Sequence, residues 1–289
     1  MDRAPAGSVF GPRSVLILFM LLLLAALSRF ATLGSYSLID PTESRYSEIA
    51  REMVVTNEWI VPHLSPAKPF WGKPPLSFWA TALIFKTVGI SDLTARLSSF
   101  FFATLTVGLL FLVGLRLRGV AFGLLCAVVL ATGALFYVLA GGVMTDPSLM
   151  ATVTVSMAAF ALAALARTPK SRRVWGYAFF AGLGLSLLSK GPIGAVVTLL
   201  PLAVWLAWRR KRRDVTIALP WRGGIALAAV LSVPWYAAAE LRTPGFLKYF
   251  IVGEHFMRFL VSDWAGDLYG SPHEAPLGTI WVYLAIGTM

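Results

Sequence analysis

Residues 75–88 read PLSFWATALIFKTV, and the placement of this segment decides the topology of the whole chain. The segment is apolar enough to resemble a membrane span, but it is shorter than the ~20 residues that a spanning helix needs. Polar Ser91, Asp92 and Arg96 follow it closely. We therefore predict that it forms a helix in the membrane interface or a re-entrant helix, and that it does not span the membrane.

The composition indicates that a bilayer surrounds much of the protein. The chain has 289 residues, of which 57% are hydrophobic and 13% charged, and its mean hydropathy is +0.74. The net charge of +11 comes mostly from short basic clusters beside apolar runs, a pattern that orients membrane proteins and argues against nucleic-acid binding. The single cysteine, Cys126, lies in an apolar run and cannot form an internal disulfide.

Apolar runs and basic clusters together predict the topology. A run at Val15–Leu27 is interpreted as an uncleaved signal anchor, and further runs lie at 96–115, 119–140, 148–166, 174–189, 192–208 and 220–238. The basic clusters are Arg3/Arg13, Arg116/Arg118, Arg167 to Arg173 and Arg209 to Arg213. If every cluster faces the cytoplasm, an even number of spans separates each from the next. The prediction is an all-α polytopic membrane protein of about seven transmembrane helices with a cytoplasmic N-terminus.

On this map the chemically active side chains collect outside the membrane. The first outer loop covers 35–95 and the last covers 239–276, and together with the short loops they hold all three histidines and all but two of the 14 acidic residues. Such asymmetry is typical of a site on the outer face. Residues 1–275 are interpreted as one membrane module. A further apolar run starts at 276 and stops at Met289, which indicates a fragment or a short relative of a longer protein.

The first outer loop begins with DPTESRYSEIAREMV at 40–54. Apolar residues recur there at helical spacing, which predicts an amphipathic helix lying on the membrane. Asp40 and Glu43 have two interpretations. They form a capping box, with Asp40 at the N-cap, Pro41 at N1 and Glu43 reaching back, or they are a catalytic carboxylate pair at the start of a helix.

Lys68 and Lys73 follow within HLSPAKPFWGKPPLSFW, among prolines that stiffen the loop and aromatic residues typical of the headgroup level. The aromatic residues either anchor the loop in the interface or frame a lysine that pairs with a lipid phosphate.

Several stretches resemble one known family. DPTESRYSEIAREM, WIVPHL and KPFWGKPPLSFW in the first outer loop, MTDPSLMA at 144–151, LSKGPIG at 188–194 and VPWYAAAELRTPGFLKYFIVGEHFMRFL at 233–260 resemble bacterial membrane glycosyltransferases related to protein O-mannosyltransferases and to the lipid A aminoarabinose transferase. The resemblance implies the GT-C fold and transfer of a sugar from a polyprenyl-phosphate donor to a lipid, glycan or protein acceptor. The reaction would occur at the periplasmic face of the bacterial inner membrane, among membrane lipids. A non-catalytic transporter or flippase for polyprenyl-linked sugars is the alternative.

The resemblance also implies roles for particular residues. An acidic residue acts as base on the acceptor, and Asp40, Glu43 and Asp146 are the candidates. The candidate substrate-binding residues are Arg45, Tyr46, His63, Lys73, Lys190, Glu254, His255 and Arg258. Structural alternatives stay open for three of these groups. Asp146 would be an N-cap, Lys190 would extend towards the interface, and Glu254, His255 and Arg258 would form surface ion pairs.

Two positions depart from the family pattern. Thr42 stands where the usual motif has its catalytic aspartate, so Asp40 is the candidate substitute. Gly72 stands where the relative with a metal site has a glutamate, so no cofactor is firmly predicted and a divalent metal is doubtful. His255 is the weak candidate for a metal ligand.

Overall fold

The computed structural model describes residues 11–65, 67–210, 219–261, 264–269, 276 and 278–288. Helices account for most of this part of the chain, and the two short strands pair with each other. The first elements are α1 (Pro12–Thr32), α2 (Pro41–Thr56), β1 (His63–Ser65), β2 (Lys68–Pro69), α3 (Leu76–Val88), α4 (Asp92–Arg118), α5 (Val120–Thr132) and α6 (Ala134–Leu139). They are followed by α7 (Asp146–Ala164), α8 (Pro169–Lys190), α9 (Pro192–Arg210), α10 (Trp221–Arg242), a π-helix (Lys248–Met257), α11 (Arg258–Leu260) and α12 (Thr279–Thr288).

Four of the described helices, α1, α4, α7 and α10, are long and apolar enough to cross a membrane. Three shorter apolar helical segments are α3, α5 and the Pro192–Trp208 part of α9. Large apolar side chains are exposed along the long helices, for example Leu24 on α1 and Val230 on α10, as expected where lipid is the solvent. The polytopic all-α fold is confirmed. The count of seven spans stays a prediction, and His273 and most of the basic cluster at 209–213 lie outside the described residues.

The helix pairs pack closely through small residues. Helix α8 contacts α7 on one side and α10 on the other, while α4 contacts α5 and α7. An added Cβ at Gly114 of α4 would lie 2.8 Å from the Cα of Gly123 in α5. A Cβ at Gly184 of α8 would similarly lie 2.9 Å from the Ala228 carbonyl oxygen in α10. Small residues let helix backbones approach, which is how helices gain packing energy when lipid tails are as apolar as leucine.

The first outer loop is a folded layer over one end of the helices. Residues 75–88 form α3 as predicted, and α3 packs against α2 and α4. The amphipathic helix α2 is also present, and its contact with the membrane stays a prediction. Its apolar face is buried against the protein in a core that contains Ile49, Ala50, Met53, Phe70, Phe78, Ala82, Phe85, Ala95 and Val143. The loop and α3 cover the face that an isolated amphipathic helix would turn towards lipid.

The aromatic residues of this loop contact other parts of the chain more closely than interfacial anchors would. Phe70 is buried, Trp71 Nε1 donates to Thr243 Oγ1 at 3.2 Å, and Trp79 Nε1 donates to the Trp59 carbonyl at 2.6 Å. These contacts fix the position of the lysine that lies between them in sequence, Lys73.

Two helices depart from ideal geometry near this layer. The apolar run at 119–140 is divided at Gly133, whose φ and ψ of −62° and 129° end α5 before α6 begins. After α10 the chain forms a π-helix, a rare conformation that often occurs at functional sites.

Candidate functional site

The first and last outer loops are joined around Tyr269 by hydrogen bonds between side chains and backbone atoms. Its hydroxyl donates to the Pro69 carbonyl at 2.8 Å and accepts from the Trp71 amide at 2.9 Å. The Tyr269 carbonyl accepts from Arg45 Nη1 at 3.3 Å. The neighbouring Leu268 carbonyl accepts from Lys68 Nζ at 3.3 Å. Segments about 200 residues apart therefore form one wall, and Lys73 follows it directly.

Lys73 contacts the last outer loop through Glu254. The Lys73 ammonium is paired with Glu254 Oε1, and the same oxygen accepts from Arg258 Nη1 at 2.9 Å. Arg258 Nε also lies 3.4 Å from Asp267 Oδ2. Glu254 is buried in the π-helix, and among the described residues its Oε2 atom has no hydrogen-bond partner. Two cations from different loops are thus held on one buried carboxylate that retains an open acceptor.

A second ion pair lies between the ends of two membrane helices. Lys190, the last residue of α8, donates to Asp146 Oδ1 at 2.7 Å. Asp146 is the first residue of α7 but does not cap it, because the N-cap is Thr145. The side chain of Asp146 is 47% exposed, so solvent reaches a carboxylate that a lysine holds in position. Lys190 thus contacts a carboxylate at the end of α7.

Tyr46 lies within electrostatic range of both ion pairs. Burial raises the pKa of its phenol to about 12, with a further rise from the negative charges of Asp146 and Glu254 and a partial reversal from Arg45 and Arg258. Its ring packs edge-on against Phe78 at 5.4 Å between centroids. Tyr46 is therefore a neutral hydrogen-bonding group at ordinary pH. We call Tyr46, Lys73, Asp146, Lys190, Glu254, Arg258 and Asp267 the charged cluster.

The electrostatics of Lys73 are set by opposing effects. Burial lowers the pKa of its ammonium, the Glu254 carboxylate raises it, and the positive charges of Lys190 and Arg258 lower it further. The net direction is below the ordinary value of 10.5. An anion that reached this lysine would relieve the repulsion from the two neighbouring cations.

Glu43 lies next to the charged cluster but pairs with a residue outside it, Arg96. Its carboxylate accepts two bonds from Arg96, at 3.2 Å from Nε and 3.0 Å from Nη2, and a third from the Val143 amide at 3.0 Å. Arg96 is fully buried and also donates to the carbonyls of Leu33, Tyr36 and Ser37. The Glu43 half of the expected capping box is therefore wrong, since the side chain turns inwards to a buried arginine instead of back to the helix start.

Asp40 does cap α2. Its Oδ1 accepts from the amides of Thr42 at 2.7 Å and Glu43 at 3.4 Å, and Pro41 occupies the first turn. The hydrogen bond from the Thr42 amide lowers the pKa of this exposed carboxyl. The side chain is held by its own helix through the amides of residues 42 and 43.

The two histidines expected at the site have other contacts. His63 lies in β1, with Nδ1 2.8 Å from the Val61 carbonyl, and it contributes to lowering the pKa of the Glu58 carboxyl. His255 follows Glu254 but turns towards Phe250, with Nδ1 2.6 Å from that carbonyl five residues earlier. Of the predicted group Glu254, His255 and Arg258, Glu254 in the π-helix and Arg258 at the start of α11 belong to the charged cluster.

The donor atoms do not suit a resident metal. Within the described ranges, no group of three or more His, Cys, Asp or Glu side chains could hold a metal ion. Gly72 faces Phe70 and Tyr269, where an added Cβ would lie 3.0 Å from the Phe70 ring. We derive no chemical step through a metal.

Sequence reasoning missed three residues of this region, Arg96, Asp267 and Tyr269. A signal existed for Arg96, because an arginine within the first turn of an apolar helix needs a partner. Asp267 and Tyr269 gave no signal, since neither stands in a motif and both are brought to the site by the path of the last loop.

The fold and the site together define a polytopic membrane protein whose charged residues collect at one end of its helices, beneath two packed outer loops. Residues 14–250 match the model of the dolichyl-phosphate-mannose-protein mannosyltransferase family. The chain belongs to this family, and the resemblance found in the sequence is confirmed at that level.

Relatives and solved structures agree with this assignment. The chain is 30% identical over 252 residues to the undecaprenyl phosphate-alpha-4-amino-4-deoxy-L-arabinose arabinosyl transferase of Erwinia tasmaniensis, covering 86% of this chain and 43% of the relative. It is 29% identical to the transferase of the same name from Yersinia enterocolitica, covering 92% and 46%.

The fold is shared with ArnT from Cupriavidus metallidurans. Its crystal structure bound to undecaprenyl phosphate has a TM-score of 0.78 and 24% identity, over 94% of this chain and 48% of that one. The apo structure has a TM-score of 0.71 and 25% identity, over 84% and 45%. The chain thus spans about half the length of the curated relatives it matches, and the GT-C fold class is confirmed.

Proposed function

We propose that this chain is the membrane module of a glycosyltransferase that moves a sugar from a polyprenyl-phosphate donor to a lipid, glycan or protein acceptor. The observation that carries the proposal is the pairing of Lys73 and Arg258 on Glu254 beneath the two outer loops. The relatives support it, since they are named as transferases that use an undecaprenyl phosphate sugar, and one solved structure holds undecaprenyl phosphate. The proposed location is the periplasmic face of the bacterial inner membrane, with the N-terminus in the cytoplasm.

The donor phosphate would bind at Lys73 and Arg258. As the sugar departs, the leaving phosphate gains negative charge, and fixed cations stabilise that charge without reorganising. Glu254 sets the positions of both cations before the donor arrives. Its unpartnered Oε2 is an acceptor that suits a hydroxyl or amino group of the sugar.

Among the three carboxylate candidates, the geometry favours Asp146 as the base. It is half exposed, it lies beside Tyr46, and Lys190 holds its charge. In the proposed step, the acceptor hydroxyl gives its proton to Asp146 while its oxygen bonds to the anomeric carbon. The bond from that carbon to the phosphate oxygen breaks, and polyprenyl phosphate leaves with the electron pair. Glu43 is a positioning residue, and Asp40 holds the start of α2.

The test is transfer of a radiolabelled sugar in membranes that contain the protein. Polyprenyl-phosphate donors carrying a pentose, an amino-pentose or a hexose are supplied separately, and the label is followed into lipid, glycan and protein fractions. We expect one donor class to be used. Lys73→Ala and Arg258→Ala should reduce donor use strongly, while Lys68→Ala is the matched control because Lys68 is exposed and contacts a backbone carbonyl.

Asp146→Asn should reduce the rate by about 10²–10⁴, the usual contribution of a general base, without loss of folded protein. A chelator should leave activity nearly intact. Equal activity of the Lys68, Lys73 and Arg258 variants would contradict the donor site. Activity that a chelator abolishes and zinc restores would show that His255 is a metal ligand. Movement of the whole labelled donor across the membrane without transfer would favour the transporter alternative.

A further inference from the structure

A buried arginine near the outer end of α1 lies apart from the charged cluster and has no acidic partner. Arg29 is 9% exposed, and within the described residues no carboxylate lies within ion-pair distance of it. Its Nη atoms reach only neutral groups, the Val138 carbonyl at 3.0 Å and the hydroxyls of Thr32 and Tyr36 at 3.4 Å. Its Nε is buried without any hydrogen-bond partner there.

The contrast with Arg96 shows what is missing. Arg96 is fully buried and contacts the same tyrosine, with its guanidinium 3.9 Å from the Tyr36 ring centroid, but it is neutralised by Glu43. A buried cation without a counter-charge is costly, so such groups are normally paired. The guanidinium of Arg29 is also fixed in place. It fills the space over Gly141, where an added Cβ would lie 1.9 Å from Nη2.

Arg29 lines one end of an apolar cavity of about 450 Å³ between α1, α4, α5 and α6. This volume is within the ~300–1,000 Å³ of ordinary ligand pockets. The walls include Phe19 and Leu23 of α1, Gly108 and Phe111 of α4, and Tyr137 of α6. Tyr137 places its hydroxyl 3.0 Å from Ser28 Oγ, beside the arginine. Apart from Thr104, whose hydroxyl donates to the Phe100 carbonyl of its own helix at 2.8 Å, the polar side chains of the groove are thus at one end.

The depth of the groove matches one leaflet of a bilayer. Along α1 it extends from Arg29 to Phe19, ten residues or roughly 15 Å of helix rise. That is about half of the ~30 Å hydrocarbon core of a membrane. An acyl chain of a phospholipid fits this depth with its phosphate at the level of Arg29, whereas an undecaprenyl chain is much longer than one leaflet is deep.

We propose that this groove binds one anionic phospholipid of the surrounding bilayer, with its acyl chain between α1 and α4 and its phosphate on Arg29. The phosphate supplies the counter-charge that the described protein lacks, and the guanidinium of Arg29, which lines the groove, donates to it. The site goes beyond the proposed sugar transfer and can be tested without any donor or acceptor.

The experiment is native mass spectrometry of the purified full chain in detergent, with phosphatidylglycerol, phosphatidylethanolamine and undecaprenyl phosphate added in equal amounts. The wild-type protein should retain phosphatidylglycerol in preference to the other two. Arg29→Gln should lower its retention about ten- to hundredfold, the range expected for lost hydrogen bonds to a charged group. Arg118→Gln is the matched control, since Arg118 is an exposed arginine at the C-terminal end of α4.

A second variant tests the groove without touching the charge. An added Cβ at Gly108 meets no atom within 4 Å, so Gly108→Leu fills the groove without a clash at the backbone. It should reduce retention of both phospholipids. The proposal is overturned if Arg29→Gln retains phosphatidylglycerol as the wild type does, or if the wild type retains none of the lipids. It is also overturned if undecaprenyl phosphate displaces phosphatidylglycerol from the wild type but not from Arg29→Gln, which would assign the groove to the donor.

Discussion

Replacing Arg96 by methionine separates a positioning role of Glu43 from a catalytic one. The arginine is fully buried and donates five hydrogen bonds, two to Glu43 and three to backbone carbonyls. Methionine fills most of the volume but satisfies none of these acceptors. Glu43 would keep only its bond from the Val143 amide and would become an unpaired buried charge.

The expected loss is about 3–5 kcal/mol in the free energy of unfolding, the usual effect of removing one partner of a buried ion pair. Unfolding is followed by loss of helical circular dichroism as SDS is added to protein in mixed micelles. Arg242→Met is the control, at the end of α10. Arg242 pairs with Glu58, and these side chains are 51% and 27% exposed, so its loss should stay within about 1 kcal/mol.

The comparison with activity completes the test. Glu43→Gln should lower stability and lower transfer only in proportion to the folded protein that remains. The reasoning is refuted if Arg96→Met costs no more than Arg242→Met. The assignment of Glu43 as a positioning residue is refuted if Glu43→Gln stays fully stable while the transfer rate falls by about 10²–10⁴, the effect expected for a base.

Three further predictions follow from the site and the helix packing. Burial lowers the pKa of Lys73 below the ordinary 10.5, so donor use should be lost as the pH rises through this lowered pKa, because the neutral amine no longer attracts phosphate. Lys73→Arg should shift this loss of activity to higher pH in initial-rate profiles. Gly114→Ala should destabilise the α4–α5 pair by about 1–3 kcal/mol in the SDS titration, whereas Gly108→Ala, which meets open space, should not. A cysteine at Asp92 should react with an impermeant thiol reagent added outside, and one beside Arg118 should not; the opposite labelling would invert the topology.

The sequence predicted the helices well because their signals are local. Residues 75–88 were assigned to a short helix from their length and flanking polar residues, and α3 covers Leu76–Val88. The division of α5 from α6 was missed, since Gly133 lies in a continuous apolar run. The burial of the apolar face of α2 against protein was not predictable, because periodicity reveals an apolar face but not what covers it.

The composition of the site was predictable only in part. Family motifs selected Lys73, Asp146, Lys190, Glu254 and Arg258, which the structure brings into ion pairs. The pairing itself could not be read from the chain, since Lys73 and Glu254 are 181 residues apart. Local spacing suggested that Glu43 caps its own helix, but its carboxylate instead pairs with a fully buried arginine 53 residues away.

The hydrogen bonds that join the two outer loops have a consequence for how the protein is made. Lys68 and Leu268 are 200 residues apart, and translation at ~5–20 residues per second separates their synthesis by roughly 10–40 s. During that interval the first loop has already been translated, but the residues that complete its wall do not yet exist. The charged cluster is therefore assembled last, and the nascent chain holds Lys73 without its buried carboxylate until the end of the module emerges.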